Sequence, residues 1–305
     1  MSYVVTPSNY DACVDYIQEY CTEVQKKIIT SSRVYVLDAC AIQRYMHSNR
    51  ADYFAQYVSY NNGCVIIFRT ILMELSGDRA CLEEEQINFI KTLHLKDIDV
   101  FLLFEEDLKE LLQVYTDNGR INNFLRYAVQ CVNGQTGAVH DFLDNHDRIR
   151  NELFNNSSDL SPDFYKLFWT EFRSTKKHGD NLGEYACAIC IHIMAEMEDN
   201  NMYKYIFITE DKPAIGILSR VIRNIRINNG KDLIGCATSA RIAERMYTCG
   251  IIADAKGIKD FLKPVPDARI KANVIDSYAV EPEVRNFTIE EFAEYICNGK
   301  GKIIA

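Results

Sequence analysis

The chain has 305 residues, of which 48% are hydrophobic and 25% charged, and a formal net charge of −9. That length suits one large or two modest domains, and the composition is that of a globular protein rather than a disordered or fibrous one. The acidic balance excludes nonspecific wrapping of nucleic acid, which needs many phosphate contacts, but leaves room for one local basic patch. No apolar run approaches the roughly 18 residues of a membrane span, and Met1 to Tyr10 lacks the basic and apolar regions of a signal peptide. A cytoplasmic protein with no membrane partner is therefore expected. The eleven cysteines fit that setting. Their number is odd, and Cys40, Cys64, Cys187, Cys190 and Cys236 sit among apolar or small residues, where a free thiol packs as a small hydrophobe. Cys187 and Cys190 have metal-ligand spacing but no second pair at zinc-finger distance, so helix packing is expected there.

In chain order, Tyr10 to Ile29 reads as an amphipathic helix, with Val14, Ile17, Tyr20, Cys21, Val24 and Ile28 near helical spacing. Val34 to Leu37 is an apolar run with no polar alternation, the pattern of a strand buried on both faces, and it ends in Asp38. Ala41 to Tyr60 reads as a helix and Asn61-Asn62-Gly63 as a turn. Cys64 to Phe68 is a second buried strand, followed by a helix opening at Arg69 that carries Glu74. This β-α-β-α rhythm predicts a parallel sheet.

From about residue 77 to 175 the rhythm gives way to helical patterns, with one candidate strand from Asp99 to Phe104. The block reads as a large, mostly helical insertion that could cap the sheet edge, with loops at Asn155 to Ser158 and at Ser161-Pro162, where Ser161 is a candidate cap. The α/β rhythm resumes at Asp180. Leu182 to Met197 is a strongly apolar helix, Tyr205 to Thr209 a strand leading into Glu210 and Asp211, and Pro213 to Ile225 a helix bearing Arg220 and Arg223. Asp232 to Ala237 is a candidate edge strand and Ser239 to Cys249 a helix. Beyond Lys263-Pro264-Val265-Pro266 the composition shifts, and residues 263–305 read as a C-terminal extension with one helix, Thr288 to Cys297, capped by Thr288.

Four acids stand out. Asp38 and Asp211 each end a buried strand, Glu74 lies one turn into the helix after the second strand, and Glu184 opens the helix led by Gly179 to Gly183. In a right-handed parallel sheet all four belong to the carboxyl edge. Four ionised carboxylates gathered there repel one another unless a cation neutralises them. Hard oxygen donors suit Mg²⁺ or Mn²⁺, with Asp180 as an auxiliary ligand. Two such ions can activate a water and stabilise the leaving oxygen of a phosphodiester.

The bland readings are ordinary. Asp38 could end a turn, Asp211 could cap a helix, Glu74 could be a solvated face, and Glu184 could be a first-turn acid favoured by the helix dipole. Thr209, just before the acids, is a candidate partner for a metal ligand or phosphate. Arg173, Lys176, Lys177 and His178 form a basic run that could meet an RNA backbone, as could Arg220 and Arg223. His140, Asp144 and His146 have no recognised ligand spacing and read as surface residues.

The segments Leu37-Asp38-Ala39-Cys40-Ala41-Ile42, Thr70-Ile71-Leu72-Met73-Glu74-Leu75, Gly183-Glu184-Tyr185-Ala186-Cys187-Ala188 and Ile208-Thr209-Glu210-Asp211-Lys212 resemble, in that order, the motifs of PIN-domain nucleases. The likeness spans roughly residues 33–75 and 179–237. It departs from the family in the long insertion and in a Glu at the third acid, where many members carry Asp.

The resemblance implies a PIN-like three-layer α/β/α sandwich with a mostly parallel central sheet. Residues 1–262 would form the nuclease domain, including the N-terminal helix and the insertion. It further implies Mg²⁺- or Mn²⁺-dependent endoribonuclease activity, with Asp38, Glu74, Glu184 and Asp211 carrying the chemistry and RNA as substrate. A toxin-like or RNA-processing role follows, with an antitoxin-like or other protein partner. A noncatalytic PIN-like protein-interaction module is the competing reading. A phosphatase of the HAD type, which also begins with an aspartate after a buried strand, needs a second Asp where this chain has Cys40.

Overall fold

In the computed structural model the described residues are 4–304, apart from 48, 117, 155–162, 178, 197–201, 231, 264–268 and 278–280. The loop read at Asn155 to Ser158, the cap at Ser161-Pro162, His178 and the segment Pro264 to Pro266 lie outside them.

Six parallel strands form the central sheet: β1 (Gln18–Glu19), β2 (Arg33–Leu37), β3 (Gly63–Phe68), β4 (Val100–Leu103), β5 (Tyr205–Ile208) and β6 (Ile234–Ala237), in the order β1-β4-β3-β2-β5-β6. The unbroken apolar runs are explained by burial. Val34, Tyr35, Val36 and Leu37 of β2 and Cys64 to Phe68 of β3 are all buried, as strands covered on both faces must be.

From β2 the chain steps outward through β3 and β4 on one side, then returns to place β5 and β6 on the other. With right-handed crossovers the connecting helices fall on opposite faces. On one side α3 (Arg50–Tyr60) packs on β3 and α5 (Glu84–Leu95) on β4. On the other, α11 (Leu182–Ala195) packs on β5 and α12 (Lys212–Asn229) on β6. The result is an α/β fold consistent with a three-layer sandwich. The step reversal leaves a crevice at the carboxyl ends of β2 and β5, where open α/β sheets place their ligands.

Several sequence expectations need correction. The helix expected from Tyr10 is two 3₁₀ turns and β1, with a true helix, α1, only at Thr22–Thr30. Ala41 to Tyr60 is two helices, α2 (Ala39–Tyr45) and α3. Within the block from 77 to 175 the candidate strand at Asp99 to Phe104 is present as β4. β4 is an integral strand paired with β3, and α7 (Asn118–Val132) lies against α11 and α12 as part of a helical layer. α4 (Arg69–Ser76) leads into this stretch, whose other helices are α6 (Leu108–Gln113), α8 (Ala138–Asn145), α9 (Asp147–Phe154) and α10 (Phe164–Ser174).

The helix α13 (Ser239–Thr248) is followed by an unforeseen α14 (Ala255–Leu262), capped by Asp254, whose Oδ1 accepts from Gly257 N at 2.8 Å. The C-terminal extension holds, among its described residues, a sheet besides the one expected helix. An antiparallel sheet, β8-β7-β9 (β7 Ile270–Asp276, β8 Glu283–Phe287, β9 Gly301–Ile303), accompanies α15 (Ile289–Cys297). Val274, Phe292 and Ile303 join the same continuous apolar core as β2 and β3. Among the described residues no helix is long and apolar enough to cross a membrane.

Candidate carboxylate site at the sheet edge

Strand register sets the site. Leu37 pairs with Ile208, so the next residues, Asp38 and Thr209, emerge side by side at the crevice. Thr209 Oγ1 donates to Asp38 Oδ2 at 2.6 Å and accepts from Asp211 N at 3.0 Å. Cys40 donates to the same Asp38 oxygen at 3.0 Å, and Cys40 Sγ accepts from Glu210 N at 3.1 Å. Burial and the neighbouring Asp38 charge push the Cys40 thiol well above its ordinary range, so it stays protonated as a donor. Asp38 Oδ1 takes the amide of Ala39 at 2.8 Å, which makes it the cap of α2. Asp38 thus caps a helix, the ordinary role, while lying at 3% exposure at the end of β2.

Asp211 stands at the cap position of α12, yet its side chain accepts no capping hydrogen bond. It faces Glu184 instead, closely enough that a shared proton would bridge the two. Without that proton the two groups are both acceptors, and Glu184 Oε2 is buried with no donor. The Glu184 carboxyl is pushed up to about 8 by burial first, then by the charge of Glu74, with Asp38 and Asp211 adding to it. Glu74, on α4, is also raised: burial dominates, Lys176 opposes it, and Asp38 adds to it. These mutual effects bring all four predicted acids into one electrostatic neighbourhood.

They are not gathered as a finished cage. Among the described residues no group of three or more His, Cys, Asp or Glu side chains is arranged to hold a metal ion. Glu74 is paired instead with Lys176. Its ammonium, 2% exposed, bonds Glu74 Oε1 at 3.1 Å and Asp180 Oδ1 at 2.7 Å. Asp180, the expected auxiliary ligand, is further engaged by the amides of Lys177 at 2.6 Å and Leu182 at 3.2 Å, so it anchors the lysine. The second Glu74 oxygen, Oε2, is buried without a partner and rests against Gly183, where a Cβ would come within 2.3 Å of it.

Two expected backbone-contacting cations are corrected by burial. Lys176 is committed to these two acids. Arg173 is 5% exposed, and its guanidinium is held by Glu105 and Glu106 beside the Phe104 ring. Glu105, fully buried, also accepts from Thr70 N at 2.8 Å and Thr70 Oγ1 at 2.6 Å, so the cluster fixes the start of α4, which carries Glu74.

Lys177 and Arg223 are exposed and Arg220 is half-buried. At the helical rise of 1.5 Å per residue, Arg220 and Arg223 lie about 14 Å and about 18 Å along α12 from Asp211, away from the acids. Glu210 is turned to the amide of Ser239 at 2.6 Å. His140 pairs with Asp144 at 3.3 Å, and His146 Nδ1 meets Phe142 O at 2.8 Å, so that trio forms no site. A cleft of about 640 Å³ opens at Lys176 and Asp180, lined also by Phe142, Asn145, Lys177 and Asn181 among others, with none of the four acids in its lining.

The pairing of Lys176 with Glu74 was missed in the sequence. Its only trace there is the Lys176–Asp180 spacing, which has meaning on a helix but falls here in a loop. Comparison with protein-family models, with curated proteins and with solved structures returned no match.

Proposed function

We propose that this chain is a PIN-like, Mg²⁺- or Mn²⁺-dependent endoribonuclease that hydrolyses RNA phosphodiesters at the β2/β5 crevice. One observation carries the reading: a nine-tenths-buried carboxylate, Glu184, points an unpartnered oxygen into a crevice where Asp211 faces it and Asp38 and Glu74 add negative charge. The residues fit a hard divalent cation in chemistry, since every donor is oxygen and two buried oxygens, on Glu74 and Glu184, have no hydrogen-bond partner. Asp38, Glu184 and Asp211 would hold the cation, with Glu74 bordering them. When bound, it would polarise a phosphoryl oxygen and make a water nucleophilic at neutral pH.

The chain's own residues do the positioning. Thr209, from the end of the neighbouring strand, and Cys40, in the first turn of α2, fix the Asp38 rotamer, and the Arg173–Glu105 pair fixes the start of α4 and so the approach of Glu74. Exposed Lys177, at the rim of the adjoining cleft, is placed to meet a phosphate.

The competing reading, a noncatalytic PIN-like interaction module, draws on the Lys176–Glu74 ion pair, which already neutralises one of the four acids. Incubation of labelled single-stranded RNA with Mn²⁺ or Mg²⁺ separates the two. Cation-dependent cleavage is expected. Asp38→Asn and Asp211→Asn should each lower it by more than the roughly 10–100-fold that loss of a supporting residue costs. Full-rate cleavage by either folded variant, or cleavage that survives EDTA, defeats the nuclease reading.

A further inference from the structure

The small C-terminal sheet ends in an open strand. β8 is its last strand, and Glu283, Val284 and Asn286 are exposed, Val284 to 55%. The direction of its backbone groups follows from the far side of the sheet. Asn273 O accepts from Ile304 N at 2.8 Å and Ser277 N donates to Lys300 O at 2.9 Å, so the odd-numbered residues of this stretch turn their backbone groups toward β9. In an antiparallel ladder the direction alternates, and Ala272 and Val274 therefore turn theirs toward β8. Their partners there are Arg285 and Glu283. That leaves Val284 and Asn286 with N–H and C=O directed at the open side, where the described residues supply no further strand.

Such an edge is a template for another strand, and charged side chains along it usually repel one. Here the signs alternate, with Glu283 and Arg285 on either side of Val284. Pro282, just before them, has no N–H and ends the ladder. Two antiparallel copies of β8 related by a two-fold axis can meet in few registers. Centred on Arg285, the axis sets two guanidiniums opposite each other, which is unfavourable. Centred on Asn286, it runs the strand into Thr288 and Ile289, the cap and first residue of α15. Centred on Val284, it sets Glu283 opposite Arg285 of the second copy, twice by symmetry, and puts the exposed Val284 against itself. In that register the outward groups of Val284 bond their own copies, and Asn286 N–H meets the carbonyl of Pro282.

We propose that β8 is a homodimer contact, in which two copies of this chain join strand to strand through Val284. The two three-stranded sheets then form one continuous antiparallel sheet across the two-fold axis. Arg285 is already held by Asp276 at 3.0 Å and 2.5 Å, so little side-chain freedom is lost when it meets the second carboxylate. The contact is independent of the carboxylate crevice.

The test is the oligomeric state of the full chain. A five-residue strand makes a small contact of the weak class, so sedimentation equilibrium is run from about 1 µM to about 500 µM. Wild type should pass from monomer to dimer, and hydrogen exchange at the Val284 and Asn286 amides should slow as it does. Val284→Pro removes an outward N–H and no bond to β7, a place where an edge strand accepts proline, and should stay monomeric. Val284→Lys keeps the backbone intact and opposes two ammoniums on the axis, so it serves if the proline variant does not fold. Glu283→Lys should weaken the dimer by about 2- to 30-fold, the effect of reversing two cross-strand charge pairs.

Wild type that stays monomeric throughout overturns the proposal and leaves the edge to a strand from another protein. A dimer undiminished in folded Val284→Pro, Val284→Lys or Glu283→Lys overturns it as well. So does a dimer in which the two amides exchange as fast as in the monomer, because its contact lies elsewhere.

Discussion

Glu184→Gln tests whether charge is truly confined at the crevice. In the folded protein burial and the surrounding acids lift this carboxyl from 4.5 to about 8. In the unfolded chain it ionises near its ordinary value, so between these limits the folded state holds more protons than the unfolded one. Stability contributed by this group is therefore complete below about pH 4.5 and is lost as pH rises toward 8. At about 1.36 kcal/mol per pH unit, the loss has a ceiling of about 5 kcal/mol, lowered by water entering the crevice on ionisation.

Glu184→Gln keeps the shape and removes the titration. In EDTA, urea melts at pH 5 and pH 8.5 should show wild type losing several kcal/mol more than the variant. The difference between the two proteins cancels Asp107, which is also raised and acts in the same direction. Excess Mn²⁺ at pH 8.5 should recover wild type and leave the variant nearly unmoved. Parallel stability profiles for the two proteins would mean that Glu184 faces water and not its fellow acids.

Other consequences follow from the supports of the site. Arg173→Ala strands the fully buried Glu105 and should cost about 3–5 kcal/mol in chemical denaturation. A variant of native stability with weakened RNA affinity would restore Arg173 to the role its sequence context first suggested. Gly183→Ala should displace Glu74, whose Oε2 would lie 2.3 Å from the new methyl. The helix gains up to about 1 kcal/mol from the alanine, so a melting temperature near wild type with altered Mn²⁺ affinity is expected. Unchanged metal binding would show that the Glu74 carboxylate has no part in it.

The strands that build the crevice were legible because burial on both faces leaves an unbroken apolar signature, as in Val34 to Leu37 and Tyr205 to Ile208. The placement of Asp38 and Asp211 followed from their position just past those runs. The failures have physical causes. Tyr10, Cys13 and Ile17 are buried at three- and four-residue spacing, which two successive 3₁₀ turns reproduce as well as an α-helix does.

The strand β7 buries only Ala272 and Val274 on its inner face, too weak an alternation to stand out. Gly257 lowers the helical signal of α14, and Asp254 restores it only through a cap. Arg173 and Lys176 look like surface cations in a basic run, because nothing local reveals that Glu105 and Glu74, distant in sequence, come to meet them. Long-range pairing of that kind is a product of the fold.

The central claim, that distant acids make one trap for a divalent ion, is tested most directly by diffraction at the manganese absorption edge from crystals of the full chain soaked in Mn²⁺. The expected map shows a single anomalous peak in contact with the carboxylates of Asp38, Glu184 and Asp211, with Lys176 still on Glu74. A map with no peak in the crevice at saturating Mn²⁺, or with peaks only at remote surface acids, contradicts it.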